Sequence, residues 1–163
     1  TLCAVPLCYY DDEDEDKYTY KLGAMLKHCQ THVALCHEHP ELTKETILDY
    51  YTANTGNLAD KTLYLLKDDV SDDLRSNSAL KSAYPYNIEF ATAEQIEELT
   101  NSNDDKALII HIINPYDGDG QPYCIKLIID ASKGMLYYYD FQKLKKNTYG
   151  HITSDDLKKL SKK

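Results

Sequence analysis

Two periodicities divide the chain. Between residues 18 and 37, Leu22, Met25, Leu26, Cys29, Val33 and Cys36 recur at three- and four-residue steps. That spacing predicts one helix with a single apolar stripe. Pro40 stops it, because proline cannot continue a helix interior. A second, shorter helix is expected over 41–53, with Ile47, Leu48 and Tyr51 on its face and Gly56 as a left-handed cap. Beyond residue 58 the pattern changes. TLYLL at 62–66 reads as a buried strand and NIEFA at 87–91 as a second, with a short helix before Pro85. Thr92 and Gln95 have capping-box spacing, so a helix starts there and carries Ile96 and Leu99 inward. ALIIHII at 107–113 is almost uniformly apolar, which predicts a central strand covered on both faces. YCIKLIID at 123–130 and MLYYYDF at 135–141 read as a hairpin over Ala131, Ser132, Lys133 and Gly134. A closing helix begins near Ser154, with Leu157 and Leu160 inward.

The first strands alternate with helices, which argues for parallel pairing through right-handed crossovers. The last three argue for an antiparallel meander. The expected fold is therefore mixed α/β, of the α+β kind. A mixed sheet of about five strands carries flanking helices and follows an N-terminal two-helix segment. The divisions are 1–57 for that segment and 58–163 for the α/β domain, or one compact domain of all 163 residues. Thioredoxin-like proteins share much of this element order. No C-x-x-C occurs here, so their redox chemistry does not carry over.

Composition narrows the functional classes. The net charge is −9, and Arg75 is the single arginine, which argues against a phosphate backbone or an anionic membrane as partner. A basic protein surface or a divalent cation suits that field better. No apolar run approaches the roughly 18 residues of a membrane span. The run DDEDED at 11–16 reads as a solvated helix start, with a calcium or basic-partner site as the alternative. Tyrosine supplies 15 of the 17 aromatics. Its apolar ring and polar tip suit half-exposed faces and interfaces.

KTLYLLKDDV, SAYPY, IIHIINP, YCIKLIIDASKGMLYYYDF and HITSDDLKKL together resemble a family of small secreted proteins from gut Bacteroidetes. The resemblance covers roughly residues 58–160. It rests on strand and turn patterns and brings no catalytic signature and no assigned function. It implies an exported protein, secreted or periplasmic, whose signal peptide is removed. The opening on Thr1 suits either a mature form or a chain from which a leader was left out.

The densest chemistry lies in HCQTHVALCHEHP at 28–40, with four of the six histidines and two of the five cysteines. His28 and His32 stand at i, i+4 and can chelate a metal. Cys29, Cys36 and His39 complete the candidate zinc set, although the spacing matches no established zinc motif. Disulfides are the stronger expectation in an exported protein. Cys29 and Cys36 are separated by about 10.5 Å of helix rise, too far to bridge each other. If the preceding segment folds back, Cys3–Cys36 with Cys8–Cys29 is the preferred arrangement, with the reverse pairing also open. Buried thiols are the plain alternative, and Cys124 reads as a core thiol.

Catalytic signals are sparse. No G-x-S-x-G elbow or Gly-rich phosphate loop occurs. His111, flanked by isoleucines, reads as a core residue. Asp68, Asp69, Asp72 and Asp73 follow the first strand, where α/β sites often lie, and are the hydrolase candidates. Asn114, Asp117 and Asp119 lie in a loop that offers them to calcium, but glycines in a turn explain the same letters. Alternation places Tyr137, Tyr139 and Phe141 on one face and Tyr138 on the other, with Tyr123 on the neighbouring strand. Tyr123, Tyr137, Tyr138 and Tyr139 form the candidate binding surface. The leading expectation is a non-enzymatic protein-interaction module without a cofactor. A zinc-binding protein and a hydrolase are the alternatives.

Overall fold

The structure, a computed structural model, describes Val5 and residues 19–116, 118–146 and 148–162. Helices α1 (Leu22–Glu38) and α2 (Ile47–Asn54) precede β1 (Thr62–Leu65), α3 (Asn77–Ala83), β2 (Asn87–Phe90) and α4 (Ala93–Asn101). Then come β3 (Ala107–Ile113), β4 (Tyr123–Asp130), β5 (Leu136–Lys143) and α5 (Ser154–Ser161). One mixed sheet has the order β2-β1-β3-β4-β5. β1 pairs parallel with both β2 and β3, and β3, β4 and β5 form an antiparallel meander.

The direction of travel explains the layering. The chain moves outward from β1 to β2 through α3, then back past β1 to β3 through α4. Right-handed connections in opposite directions must lie on opposite faces. Leu80 of α3 packs in the first core and Ile96 of α4 in the second. β3 divides its own side chains between them: Leu108, Ile110 and Ile112 face the first core, Ala107 and Ile109 the second. All seven of its residues are buried, as its uniform apolar pattern predicts.

The N-terminal helices are part of this body. Tyr20, Ala24, Met25 and Leu35, with Tyr51 of α2, pack against Ile109, Leu127 and Ile129 in the second core. Val5 packs against the same core. The helix presents a different stripe from the expected one. Leu22 and Leu26 are 44% and 56% exposed, whereas Ala24, Met25, His28 and Leu35 are buried. The capping boxes at Thr92–Gln95 and Thr153–Asp156 form and start α4 and α5. Gly56 does not adopt the left-handed conformation expected of it. Thr55 ends α2 in extended geometry, and the Gly56 N–H donates to the Tyr137 hydroxyl at 3.1 Å. Among the described residues, no helix is long and apolar enough to cross a membrane.

Candidate binding surface and buried polar sites

The histidine-rich helix is a docking face for the β4–β5 turn. Gly134 sits in that turn at φ +71°, where a side chain is strained, and lies against the α1 backbone. A Cβ there would fall 2.4 Å from the backbone nitrogen of His28. This close approach lets three α1 side chains reach turn carbonyls. Lys27 Nζ donates to Ala131 O at 2.9 Å, His28 Nδ1 to Gly134 O at 2.8 Å, and Thr31 Oγ1 to Lys133 O. A carbonyl can only accept, so His28 carries its proton on Nδ1. Lys27 also donates to Thr100 O and to Asn103 Oδ1, which ties the end of α4 into the same knot. These bonds are why α1 turns its polar positions 27, 28 and 31 toward the sheet.

The zinc candidates are spread over this helix. His28 is buried, with its ring centre 6.0 Å from His32 and 6.2 Å from Tyr51. His32 Nδ1 lies 3.1 Å from the Tyr51 hydroxyl. His39, past the helix end, donates from Nδ1 to Glu41 at 3.2 Å, and its Nε2 lies 3.0 Å from the Tyr50 hydroxyl. Cys29 and Cys36 are half-buried. Among the described residues, no group of three His, Cys, Asp or Glu side chains could hold a metal ion. Burial lowers the pKa of His28 and His32, and for His28 the charge on His32 adds to this against the bond to Gly134. Cys3, Cys8, residues 11–16 and Asp117 lie outside the described residues.

A second polar site was missed in the sequence reading. Lys126 stands mid-strand with its side chain 1% exposed, and its Nζ is 2.7 Å from Asp156 Oδ2. Tyr138 donates to Asp156 Oδ1 at 2.7 Å. The Thr153 N–H and hydroxyl donate to Oδ2 at 2.9 and 2.8 Å. Burial works to raise the Asp156 carboxyl, but these bonds, from Lys126 first, outweigh it and hold the group below its usual range. Burial, reinforced by the bond to Asp156, pushes the Tyr138 hydroxyl well up. One signal was available: T-x-x-D before a helix marks a capping box, and a lysine inside YCIKLIID needs a partner if buried.

The remaining candidates lie apart. Asp68 and Asp73 are exposed, Asp72 pairs with Arg75 at 3.1 Å, and Asp69 faces Lys21 at 3.7 Å. His111 is fully buried opposite Leu127. A hollow beside α2 is lined by Thr52, Gly56, Asn57, Leu58, Tyr86 and Tyr137, among others, and contains none of these acids or histidines. Asn114 is engaged with Gly150, accepting its N–H at 2.6 Å.

The tyrosine surface is rearranged by a bulge. Ile128 pairs with Tyr138 and Ile129 with Leu136, so Tyr137 is an extra residue in β5. The expected alternation therefore breaks. Tyr137 and Tyr138 are both buried in the first core, and neither belongs to a surface patch. Beyond the bulge, Tyr139 and Phe141 are 43% and 52% exposed. Tyr123 stacks on Phe141, with ring centres 5.0 Å apart and planes at 19°. Half-buried Ile125 pairs with Phe141 in the ladder. The result is a three-aromatic strip at the edge of the sheet, flanked by exposed Lys143, Lys145 and Lys146. The hydrolase aspartates follow β1, which three strand spacings, about 14 Å, separate from β5.

No family model, curated protein or solved structure matches this chain.

Proposed function

We propose that this chain is an exported domain, secreted or periplasmic, that binds another protein through the strip of Tyr123, Tyr139 and Phe141. The observation that carries the reading is the exposure of two large aromatics on an edge strand, one of them backed by a stacked tyrosine. Aromatics on a rigid element offer large contact area at low entropic cost, and they dominate the energetic centres of interfaces. The resemblance of residues 58–160 to small secreted proteins supports export. The strip itself carries lysines, so its own chemistry calls for aromatic and backbone contacts.

The test places a photo-crosslinking benzoylphenylalanine at position 141 and, as a control, at position 73, in the cells that make the protein. A discrete adduct formed from 141 and absent from 73 is expected. No adduct from 141, or the same adducts from both positions, would overturn the reading.

A further inference from the structure

The phase of the β-ladder shows which backbone groups the edge strand leaves facing outward. Leu144 N donates to Pro122 O, next to the Tyr123–Lys143 register pair. Antiparallel ladders alternate hydrogen-bonded and non-hydrogen-bonded pairs. Gln142, Asp140 and Tyr138 therefore turn their N–H and C=O groups toward β4. Tyr139, Phe141 and Lys143 turn theirs away, toward the side on which the sheet has no further strand among the described residues. Tyr139 and Phe141 also carry the exposed aromatic side chains of the strip, and Lys143 flanks it.

We propose that β5 pairs antiparallel with β5 of a second copy, about a two-fold axis at Phe141, joining two five-stranded sheets into one. The proposal rests on the binding reading of this strip and names its partner. Symmetry and pleat restrict the choice of register. A two-fold axis perpendicular to the sheet keeps each face on its own side, so paired residues must be separated by an even number of positions. An axis at Asp140 would oppose two like carboxylates, and one at Lys143 two ammonium groups. An axis at Gln142 would place Asp140 opposite Leu144. With the axis at Phe141, Phe141 meets its own copy, Tyr139 meets Lys143 and Asp140 meets Gln142. The aromatic face then gains a ring pair flanked by two lysine–tyrosine contacts. The other face gains two carboxylate–amide hydrogen bonds. The Gln142 amide is already directed toward Asp140, at 3.2 Å within its own strand. The outward groups of 139, 141 and 143 supply about six backbone hydrogen bonds. The contact of Gly56 with Tyr137 lies before this stretch.

The test is sedimentation of the purified chain over a range of concentration and salt. The expected mass rises from 18.7 kDa to twice that value with concentration. Association should tighten as salt is added, because each copy carries −9 and screening relieves their repulsion. A basic partner would show the opposite dependence. Phe141→Pro removes an N–H that β4 does not use. It should leave a folded monomer with an unchanged circular dichroism spectrum. Gln142→Lys, opposite Asp140, should tighten the dimer roughly two- to thirtyfold over its two symmetric pairs, and Gln142→Glu should loosen it. A chain that stays monomeric throughout, a Phe141→Pro variant that dimerises like the parent, or two Gln142 variants that shift association in the same direction would each overturn the pairing. If the chain is monomeric while position 141 still crosslinks a different protein, the self-pairing falls and the binding reading stands. If position 141 crosslinks nothing, both fall.

Discussion

Asp156→Asn leaves the Lys126 ammonium buried without its counter-charge, and the cost can be worked by two routes. Removing one member of a buried ion pair typically destabilises by about 3–5 kcal/mol. Alternatively, the lysine can enter the fold neutral. A lysine of ordinary pKa, about 10.4, gives up its proton at pH 7 for about 4.6 kcal/mol. Both routes arrive near 4 kcal/mol. Asparagine keeps the shape of aspartate, and with its one oxygen at the Oδ2 position it still accepts from Thr153, so little cap energy is lost; its NH2 takes the Oδ1 position and donates to the Tyr138 hydroxyl, which no longer donates there. A domain has about 5–15 kcal/mol in total, so this single atom exchange removes a large share of it. With a urea slope of about 2 kcal/mol per molar, the midpoint falls by about 2 M. Tyrosine emission is a suitable probe, because the chain has 15 Tyr and no Trp. The decisive comparison is Lys126→Met in the Asp156→Asn background. It removes the stranded charge and should recover most of the loss, although Lys126→Met is itself a core substitution. A midpoint shift corresponding to less than about 1 kcal/mol in Asp156→Asn would refute the reasoning. A double variant no more stable than Asp156→Asn would refute it as well.

Glycine substitutions should separate by position. Gly134→Ala meets the α1 backbone at 2.4 Å with φ +71°, and Gly150→Ala meets Cys124 Sγ at 2.2 Å, so each should lower the thermal midpoint by several degrees. Gly118→Ala meets nothing within 4 Å and should leave the midpoint unchanged. Burial holds His28 and His32 below the ordinary 6.5, so the unfolded chain takes up more protons in that window. Stability should be fully present above about 6.5 and fall as the pH drops toward 5; urea midpoints that stay flat between pH 7.5 and 5 would contradict this. Burial pushes the Cys124 thiol up to about 11, so it should resist iodoacetamide in the native protein and react only on unfolding. In unreduced protein from an oxidising host, the disulfide expectation for Cys3, Cys8, Cys29 and Cys36 requires a mass deficit of two hydrogens per bridge.

The parts of the fold that could be read in advance were those with one dominant local signal. β3 is apolar almost throughout, and only a strand covered on both faces tolerates that. Thr92 and Thr153 each carry a partner three residues on, so α4 and α5 announce their starts. The orientation of α1 was hidden because two stripes compete. The more hydrophobic one, through Leu22 and Leu26, remains partly exposed, whereas hydrogen bonds and a glycine contact more than a hundred positions away select the other. The bulge at Tyr137 was hidden for a similar reason. One unpaired residue inverts the alternation of the rest of a strand, and nothing in LYYYDF marks which tyrosine is the extra one. This is why the candidate surface lost Tyr137 and Tyr138 but kept Tyr123 and Tyr139.

The clasp of α1 on the β4–β5 turn also sets an order of events. His28 and its acceptor Gly134 are 106 positions apart. During synthesis from the N-terminus, α1 therefore leaves the ribosome long before the carbonyls that hold it exist. At about 5–20 residues per second, that interval is on the order of 5–20 s. Until the hairpin arrives, the helix lacks the clasp and most of the sheet it packs on. Closing so long a loop comes late in folding and slows it. The N-terminal helix is thus the first element made and one of the last to be secured. Chains truncated before residue 134 should present it as a protease-sensitive segment.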